Sequence, residues 1–246
     1  MIAIVDADSL CHKAFYIVEN NENPLEDGLD LILSMEASMF NQVEDELGTI
    51  TEFHYFFTTC TKNFKKEVLT DYKAGRKERN PMLYQLLDVY MEYVASTANI
   101  YYSDTKEADD LLSEFIKVNG LKPTEYCIFN IDKDIDQIEG FHFNYQKVDL
   151  KDENNNSIVD EYGKKIKHYK GLEYISKKQA FKNFCKLMLM GDKSDNIYGV
   201  KGVGEVTSEK ILKNKTIFGM WRTVVEEYLK KETKEKLKTN IKLIRL

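Results

Sequence analysis

The sequence predicts an α/β protein with a parallel sheet, because short apolar runs alternate with segments of helical periodicity. Three apolar runs have the length and residue types of buried strands, and they lie at residues 2–5, 53–59 and 126–131. Strand, helix, strand, helix and strand in this order is typical of parallel strands joined by crossover helices. We therefore expect the carboxyl ends of these strands to meet at one edge of the sheet.

Helices are predicted between these strands from apolar spacing and from signals at their ends. Gly48 ends one helical pattern, and the Asn80-Pro81 pair precedes the next. A third pattern begins with an acidic first turn and closes at Gly120. The predicted helices cover about residues 29–47, 82–95 and 106–118.

The C-terminal part of the chain is predicted to be a polar strand-like region followed by helices. Residues 141–170 carry the turn candidates DENNNS and DEYGKK between strand-like stretches. Residues 177–190 look like a buried helix, and a lysine-rich helical end follows the glycine-rich segment after it. No repeat or linker divides the chain, which favours one core with a C-terminal helical extension.

The composition is that of a soluble protein with a normal core. The 246 residues are 43% hydrophobic and 31% charged. The sequence shows no positively charged leader and no apolar run long enough to cross a bilayer, so we expect a cytoplasmic protein without membrane contact. The four cysteines and four histidines are scattered, which disfavours a zinc site or a disulfide framework.

The charge is unevenly distributed. A net charge of −6 argues against a nucleic-acid partner, yet residues 62–79 hold seven basic residues against three acidic ones. Such a patch suits a polyanion, although a solvated helix face would have the same composition. The basic residues are Lys62, Lys65, Lys66, Lys73, Arg76, Lys77 and Arg79.

Acidic residues stand at predicted strand ends and helix starts. If the strands are parallel, these carboxylates gather at one sheet edge, where neighbours about 4 Å apart repel by roughly 4 kcal/mol at an effective dielectric constant of 20. Hard oxygen ligands favour Mg²⁺ or Mn²⁺ as the compensating cations. The residues are Asp6, Glu107, Asp109, Asp110, Asp132, Asp134, Asp192 and Asp195.

Two other interpretations of these acidic residues remain open. Each group alone could be an ordinary helix cap or first-turn carboxylate. Asp6 and Asp8 could also be the nucleophile and acid of a haloacid-dehalogenase-like phosphohydrolase, with GDKSDN as its late metal motif. That interpretation ranks second, because only two residues separate the acids of GDKSDN and because it leaves the basic segment unexplained.

A glycine-rich hairpin follows GDKSDN. Gly199, Gly202 and Gly204 precede a predicted helix start. Glycines in a tight turn let backbone amides approach a phosphate, and the adjacent helix N-terminus adds a favourable dipole. The pattern indicates a helix–hairpin–helix that holds a duplex backbone without reading bases.

Five ordered motifs resemble the 5′-nuclease superfamily, which includes flap endonucleases, the 5′-nuclease domains of bacterial DNA polymerases and stand-alone bacteriophage 5′-3′ exonucleases. Together they extend over nearly the whole chain. The motifs are IVDAD within residues 2–8, DYKAGR at 71–76, EADD at 107–110, DKDIDQ at 132–137 and GDKSDNIYGVKGVG at 191–204.

The resemblance implies a PIN-like parallel-sheet core over residues 1–174, with a helical arch at about 62–95. It implies a helix–three-turn–helix region with the C-terminal segment over 175–246. The implied activity is Mg²⁺-dependent cleavage near the 5′ ends of flap, nicked or RNA-primed duplex DNA in replication. Mn²⁺ is expected to substitute, K⁺ to bind at the hairpin, and the protein to be a monomer.

The resemblance also assigns roles to individual residues. One metal ion would use Asp6, Glu107 and Asp109, and the other would use Asp110, Asp132, Asp134, Asp192 and, through water, Asp195. In this assignment Asp6 and Asp132 are catalytic as metal ligands, and water attacks the phosphate. Tyr72 would stack a base, while Lys73 and Arg76 would contact the scissile phosphate. Further DNA contacts are expected at Lys201, Gly202, Gly204 and Ser208.

One position departs from the family pattern. The second strand normally ends in an aspartate that supports the first metal, and Thr58 stands there. Asp8 could compensate if the strand continued past Asp6, or it could be a cap or turn residue. The departure leaves a DNA-binding relative with reduced activity as a further alternative.

Overall fold

Six strands form a sheet whose first strand lies at its centre. The computed structural model describes residues 1–246. In chain order, the N-terminal elements are β1 (Ile2–Asp6), α1 (Ala7–Val18), α2 (Pro24–Leu47), β2 (Glu52–Phe56), α3 (Phe64–Val68), α4 (Pro81–Ala95), β3 (Asn99–Tyr101), α5 (Ala108–Val118), β4 (Tyr126–Asn130), a 3₁₀ turn (Ile135–Gln137), β5 (Gly140–Asp149) and β6 (Lys167–Ile175).

The strand order is β3-β2-β1-β4-β5-β6, and all neighbouring pairs are parallel except β5 and β6. The chain therefore moves outward from β1 in one direction through β2 and β3, and in the other direction through β4 and β5. In such a sheet, ligands bind beyond the carboxyl ends of the strands where the order reverses. Here that point lies between β1 and β4.

Apolar side chains cover both faces of this sheet. Helices α1, α2 and α4 pack on one face through residues such as Leu10, Met39 and Tyr90. Helix α5 covers the other face through Leu112 and Ile116. The parallel α/β architecture predicted from the sequence is confirmed.

The C-terminal region is built from helices around a second apolar core. Its elements are α6 (Lys177–Met190), β7 (Gly191–Asp192), β8 (Ile197–Tyr198), α7 (Glu205–Leu212), α8 (Ile217–Lys231) and α9 (Lys234–Ile244). The core includes Met188, Val224 and Tyr228, and it also receives Tyr72 from the basic segment. The division of the chain at residues 174 and 175 stays a prediction.

Several predicted boundaries are wrong by a few residues. Helix α2 begins at Pro24 rather than at 29, since proline is well suited to a first helical position. Strand β2 ends at Phe56 rather than at 59, and α5 begins at Ala108 rather than at 106. The helix α1, over Ala7–Val18, was not predicted.

Part of the predicted arch range, at about 62–95, is a buried helix. Residues 81–95 form α4, whose Leu83, Leu86 and Tyr90 are fully buried in the first core. This helix belongs to the layer beside α1 and α2, and the arch itself stays a prediction.

No helix combines the length and hydropathy that crossing a membrane requires.

Candidate active site

The carboxyl end of the central strand places Asp6 at the edge where the strand order reverses. Asp6 is 5% exposed and caps α1, accepting hydrogen bonds from the Ser9 N–H at 3.4 Å and from the Ser9 hydroxyl. Burial, and after it the charge of Asp8, raise the pKa of Asp6 to about 8. A carboxylate in this position is stabilised as an anion only when a cation lies beside it.

The start of α5 contributes three carboxylates. Glu107 is the N-cap residue, and Asp109 and Asp110 lie in the first turn. Oxygen atoms of the three side chains lie within 4.8 Å of one another. Lys65 from α3 reaches this group, with its Nζ 3.2 Å from Glu107 Oε2 and 3.0 Å from Asp110 Oδ2.

The segment after β4 contributes Asp132 and Asp134. The Asp134 N–H donates to Asp132 Oδ1 at 2.9 Å, whereas Asp134 Oδ1 is buried without a hydrogen-bond partner. Burial, followed by the charges of Asp132 and Asp192, raises the pKa of Asp134 to about 8. An unpartnered buried carboxylate oxygen is a group that a cation would satisfy.

The last two carboxylates come from the turn after α6. Asp192 accepts hydrogen bonds from the Ser194 N–H at 2.8 Å and the Ser194 hydroxyl at 2.6 Å. Lys133 Nζ lies 3.5 Å from Asp192 Oδ2. Asp195 is 6% exposed and forms an ion pair with Arg76. The turn thus carries both carboxylates against the sheet edge.

These groups converge on one cleft of about 810 Å³. Asp110 does not line the cleft, because its carboxylate faces Lys65. The other seven predicted ligands do line it, namely Asp6, Glu107, Asp109, Asp132, Asp134, Asp192 and Asp195.

The donor set of the cleft fits a hard divalent cation. Every candidate ligand is a carboxylate, and hard oxygen donors select Mg²⁺, Mn²⁺ or Ca²⁺ over softer metals. The orphaned oxygen of Asp134 and the raised pKa values of Asp6 and Asp134 both indicate uncompensated negative charge. The residues present therefore fit a divalent metal.

The basic segment lies over the carboxylates. Lys73 Nζ contacts a Glu107 carboxylate oxygen and lies 3.6 Å from Asp195 Oδ2. Burial raises the pKa of Glu107, but the charges of Lys73 and Lys65 outweigh burial and lower it to about 2. Lys73 and Arg76 thus line the same cleft as the carboxylates, and their contact with the scissile phosphate stays a prediction.

The predicted base-stacking role of Tyr72 does not fit its position. Tyr72 is 2% exposed, and its single hydroxyl hydrogen is shared between Glu107 Oε2 at 2.7 Å and Asp195 Oδ2 at 2.9 Å. Its ring packs in the second core. Because both ends of the side chain are engaged inside the protein, Tyr72 orients carboxylates here and presents no face to a base.

Position 58 lies at the cleft, as the alignment to the family predicts. The Thr58 hydroxyl accepts a hydrogen bond from the Ala108 N–H at 2.9 Å, so it anchors the start of α5. The Thr58 N–H donates to Asp8 Oδ1 at 3.0 Å. Asp8 lies in the first turn of α1, which excludes the extended-strand alternative, and its carboxylate lines the cleft.

The glycine hairpin borders a cavity that shares Lys133, Asp192 and Ser194 with the carboxylate cleft. Gly202 and Gly204 have no atom within 4 Å of an added Cβ, so their backbone faces open space. Gly199 differs, because a Cβ there would lie 2.3 Å from the Leu189 carbonyl oxygen. The hairpin therefore presents open backbone next to the carboxylates.

Two further predicted DNA contacts have different outcomes. Lys201 is exposed at the hairpin, and its N–H donates to Glu232 Oε1 at 2.7 Å. Ser208 is 0% exposed, and its hydroxyl donates to the Glu205 carbonyl oxygen at 2.7 Å. Ser208 lies on the inner face of α7, so its side chain offers no surface to DNA in this structure, and the expected contact stays a prediction.

Comparisons with known proteins agree with this geometry. The family model described as the 5′-3′ exonuclease N-terminal resolvase-like domain matches residues 1–166. DNA polymerase I of Bacillus subtilis is 26% identical over 246 residues, which cover 96% of this chain and 26% of the relative. The chain thus spans about a quarter of the length of the curated relatives that it matches.

Solved structures share the fold. The D15 protein of bacteriophage T5, crystallised with metal ions, superposes with a TM-score of 0.64 at 15% identity, covering 99% of this chain and 88% of that chain. The T5 5′-exonuclease with bound zinc gives a TM-score of 0.62 at 17% identity, with the same two coverages. Since the family model matches most of its length, this chain belongs to the 5′-3′ exonuclease family of the 5′-nuclease superfamily.

Proposed function

We propose that this chain is a metal-dependent 5′ nuclease that hydrolyses phosphodiester bonds near the 5′ ends of flap, nicked or RNA-primed duplex DNA during replication. The observation that carries the proposal is the convergence of eight carboxylates, the seven predicted ligands and Asp8, on one cleft that adjoins an open glycine hairpin. Family membership and the DNA-bound T5 flap endonuclease among the structural neighbours support it.

We assign Mg²⁺ as the metal, with Mn²⁺ as a substitute. Asp6, Glu107 and Asp109 would hold one ion, and the carboxylates after β4 and α6 would hold the other. The chemistry that a bound pair supplies is activation of the attacking water and stabilisation of the leaving oxygen. Asp6 acts as a ligand in this scheme. Ser9 orients the Asp6 carboxylate through hydrogen bonds to both of its oxygens.

The protein's own cations act on the phosphate. Lys73 and Arg76 lie at the rim of the cleft, with side chains 22% and 38% exposed, so both can meet a phosphodiester that enters it. Charge at this point stabilises the extra negative charge that develops on the phosphate as water attacks.

The hairpin holds the duplex. Backbone amides around Gly202 and Gly204, together with the adjacent N-terminus of α7, suit phosphate oxygens and carry no base specificity. The turn around Gly202 and Gly204 would also hold K⁺, whose positive charge would favour the phosphate backbone of the DNA. This scheme needs only a monomer, because one chain supplies every group of the site. We place the activity in the cytoplasm.

The proposal is tested by incubating the protein with flap, nicked, single-stranded and RNA–DNA substrates, with and without Mg²⁺. We expect cleavage near 5′ ends that requires Mg²⁺ and a duplex. Binding of DNA without cleavage at any Mg²⁺ or Mn²⁺ concentration would instead identify a DNA-binding relative. Hydrolysis of a small phosphomonoester through an aspartyl-phosphate would identify a phosphohydrolase.

Replacing Gly204 by valine should weaken duplex affinity about tenfold or more while leaving the fold intact. The added side chain meets no atom within 4 Å in the free protein, but it blocks the approach of a phosphate to the backbone. Fluorescence anisotropy with a labelled duplex measures the effect. Gly202→Val is a poorer probe, because Gly202 has a φ of +76° and would be strained. Unchanged affinity in Gly204→Val would show that the hairpin does not touch DNA.

Replacing Thr58 by aspartate should lower the Mg²⁺ concentration needed for half-maximal cleavage, by about threefold or more. Thr58 lies at the cleft but gives no charge to a hard cation. Asp8 accepts the Thr58 N–H and supplies a carboxylate nearby, so Asp8→Asn alone should raise that concentration. A Mg²⁺ titration of both variants and of the double variant checks this. An unchanged curve in Thr58→Asp would contradict the role given to position 58.

A further inference from the structure

Lys65 is the most deeply buried cation at the site. Its side chain is 4% exposed, and Nζ lies 3.2 Å from Glu107 Oε2, 3.6 Å from Asp109 Oδ2 and 3.0 Å from Asp110 Oδ2. It therefore touches every carboxylate at the start of α5. By spacing alone these three carboxylates form a metal-binding trio, yet the centre of the trio already holds an ammonium group.

The segment that carries Lys65 is anchored on several sides. Asn63 is buried and caps α3 by accepting the Lys65 N–H at 2.9 Å. The Phe64 N–H donates to the Thr105 carbonyl oxygen at 3.0 Å, which ties α3 to the residues just before α5. Tyr72 closes the site from the C-terminal side, with Lys65 Nζ 5.9 Å from its ring centroid.

Lys65 differs from the other two cations at the site in its burial and in the side from which it approaches the carboxylates. Lys73 and Arg76 have side chains 22% and 38% exposed, and they approach the carboxylates from the open cleft. Lys65 does not line that cleft and approaches from behind the carboxylates. A buried cation paired with three carboxylates is costly to move, because its departure would leave Asp109 and Asp110 without their cation and Glu107 with Lys73 alone.

We propose that Lys65 is a positioning residue, a permanent cation that holds the carboxylates at the start of α5 and keeps Asp110 turned away from the cleft. The inference rests on the proposed function in taking the cleft as the metal site. It corrects the ligand set implied by the family resemblance, since Asp110 then pairs with Lys65 and bound metal draws on the carboxylates that face the cleft. Lys65 stays in place when metal and DNA bind.

Lys65→Met and Lys66→Met form a matched pair on the same helix, because Lys66 is exposed and forms no ion pair. Without metal, Lys65→Met should melt about 5–15 °C below Lys66→Met, since it strands the carboxylates. It should also bind Mn²⁺ about fivefold or more tightly by calorimetry, because a nearby positive charge that repels the ion is gone. Lys65→Arg should recover roughly half or more of the lost melting temperature. Equal melting temperatures and Mn²⁺ affinities in the two methionine variants would overturn the inference.

A measurement on the unmodified chain keeps the test decisive if Lys65→Met does not fold. Acetylation by an N-hydroxysuccinimide ester, located by fragment mass spectrometry, should label Lys66 quickly and leave Lys65 protected, both without metal and at saturating Mn²⁺. Labelling of Lys65 once Mn²⁺ is added would show that it only stands in for metal. None of these readouts uses DNA cleavage, so a chain that passes them but cuts no DNA would refute the proposed function alone.

Discussion

Replacing Asp132 by asparagine should abolish cleavage, with a loss of more than about 100-fold in turnover, while duplex affinity stays within about threefold. Asp132 lines the carboxylate cleft, away from the glycine hairpin that we expect to hold the duplex. The asparagine oxygen can still accept the Asp134 N–H that Asp132 accepts at 2.9 Å, so the local backbone should be preserved. Single-turnover cleavage and anisotropy measure the two quantities separately.

The matched control is Asp136→Asn, in the same DKDIDQ motif. Asp136 does not line the cleft, and its Oδ1 lies 4.0 Å from His142 Nδ1 instead. We expect this variant to retain cleavage within about threefold of the unmodified chain. Near-normal turnover in Asp132→Asn would remove Asp132 from the metal site, and equal losses in both variants would point to misfolding of the motif.

The sequence could predict which carboxylates would lie close together, because these carboxylates stand at the ends of strands and the starts of helices. Asp6 had to follow the first strand and Asp132 the third predicted one, and parallel pairing then placed both at the same edge. Acidic residues at the start of α5 followed the same logic. Short-range patterns of strand and helix thus fixed which end of the sheet would hold negative charge.

The burial of some side chains depends on packing between distant segments, which no local sequence pattern records. Tyr72 lies in a motif that predicts an exposed aromatic, but the second core and two carboxylates bury it. Ser208 is next to an open hairpin, yet the turn of α7 directs it inward. Lys65 looked like any lysine of a basic patch, because its burial depends on α9, far along the chain, packing against α3.

The helix α1 shows a different limit. The polar Asp8 and Ser9 interrupt the apolar pattern after Asp6. The sequence therefore left open whether Asp8 continues the strand or is a cap or turn residue. In the structure Asp6 caps the helix that begins at Ala7, which turns Asp8 toward Thr58. Asp8 therefore does not extend the strand, and its side chain lines the cleft from the first turn of α1.

Lys73→Ala and Arg76→Ala should each lower turnover by about 100-fold or more and weaken duplex affinity by less than about tenfold. Both cations lie over Glu107 and Asp195 at the rim of the cleft, where the scissile phosphate would enter. One phosphate contact among several contributes little to affinity, whereas charge at the reacting phosphate acts mainly on the transition state. Turnover under single-turnover conditions and affinity by anisotropy give the two values.

Lys77→Ala is the control for this pair of variants, because Lys77 is exposed in the same segment and forms no ion pair. It should reduce affinity slightly and leave turnover unchanged. If Lys73→Ala and Arg76→Ala lose affinity and turnover in equal proportion, they are ordinary members of the basic segment. A loss confined to turnover means instead that the segment brings two positive charges to the reacting phosphate, where they act on the transition state.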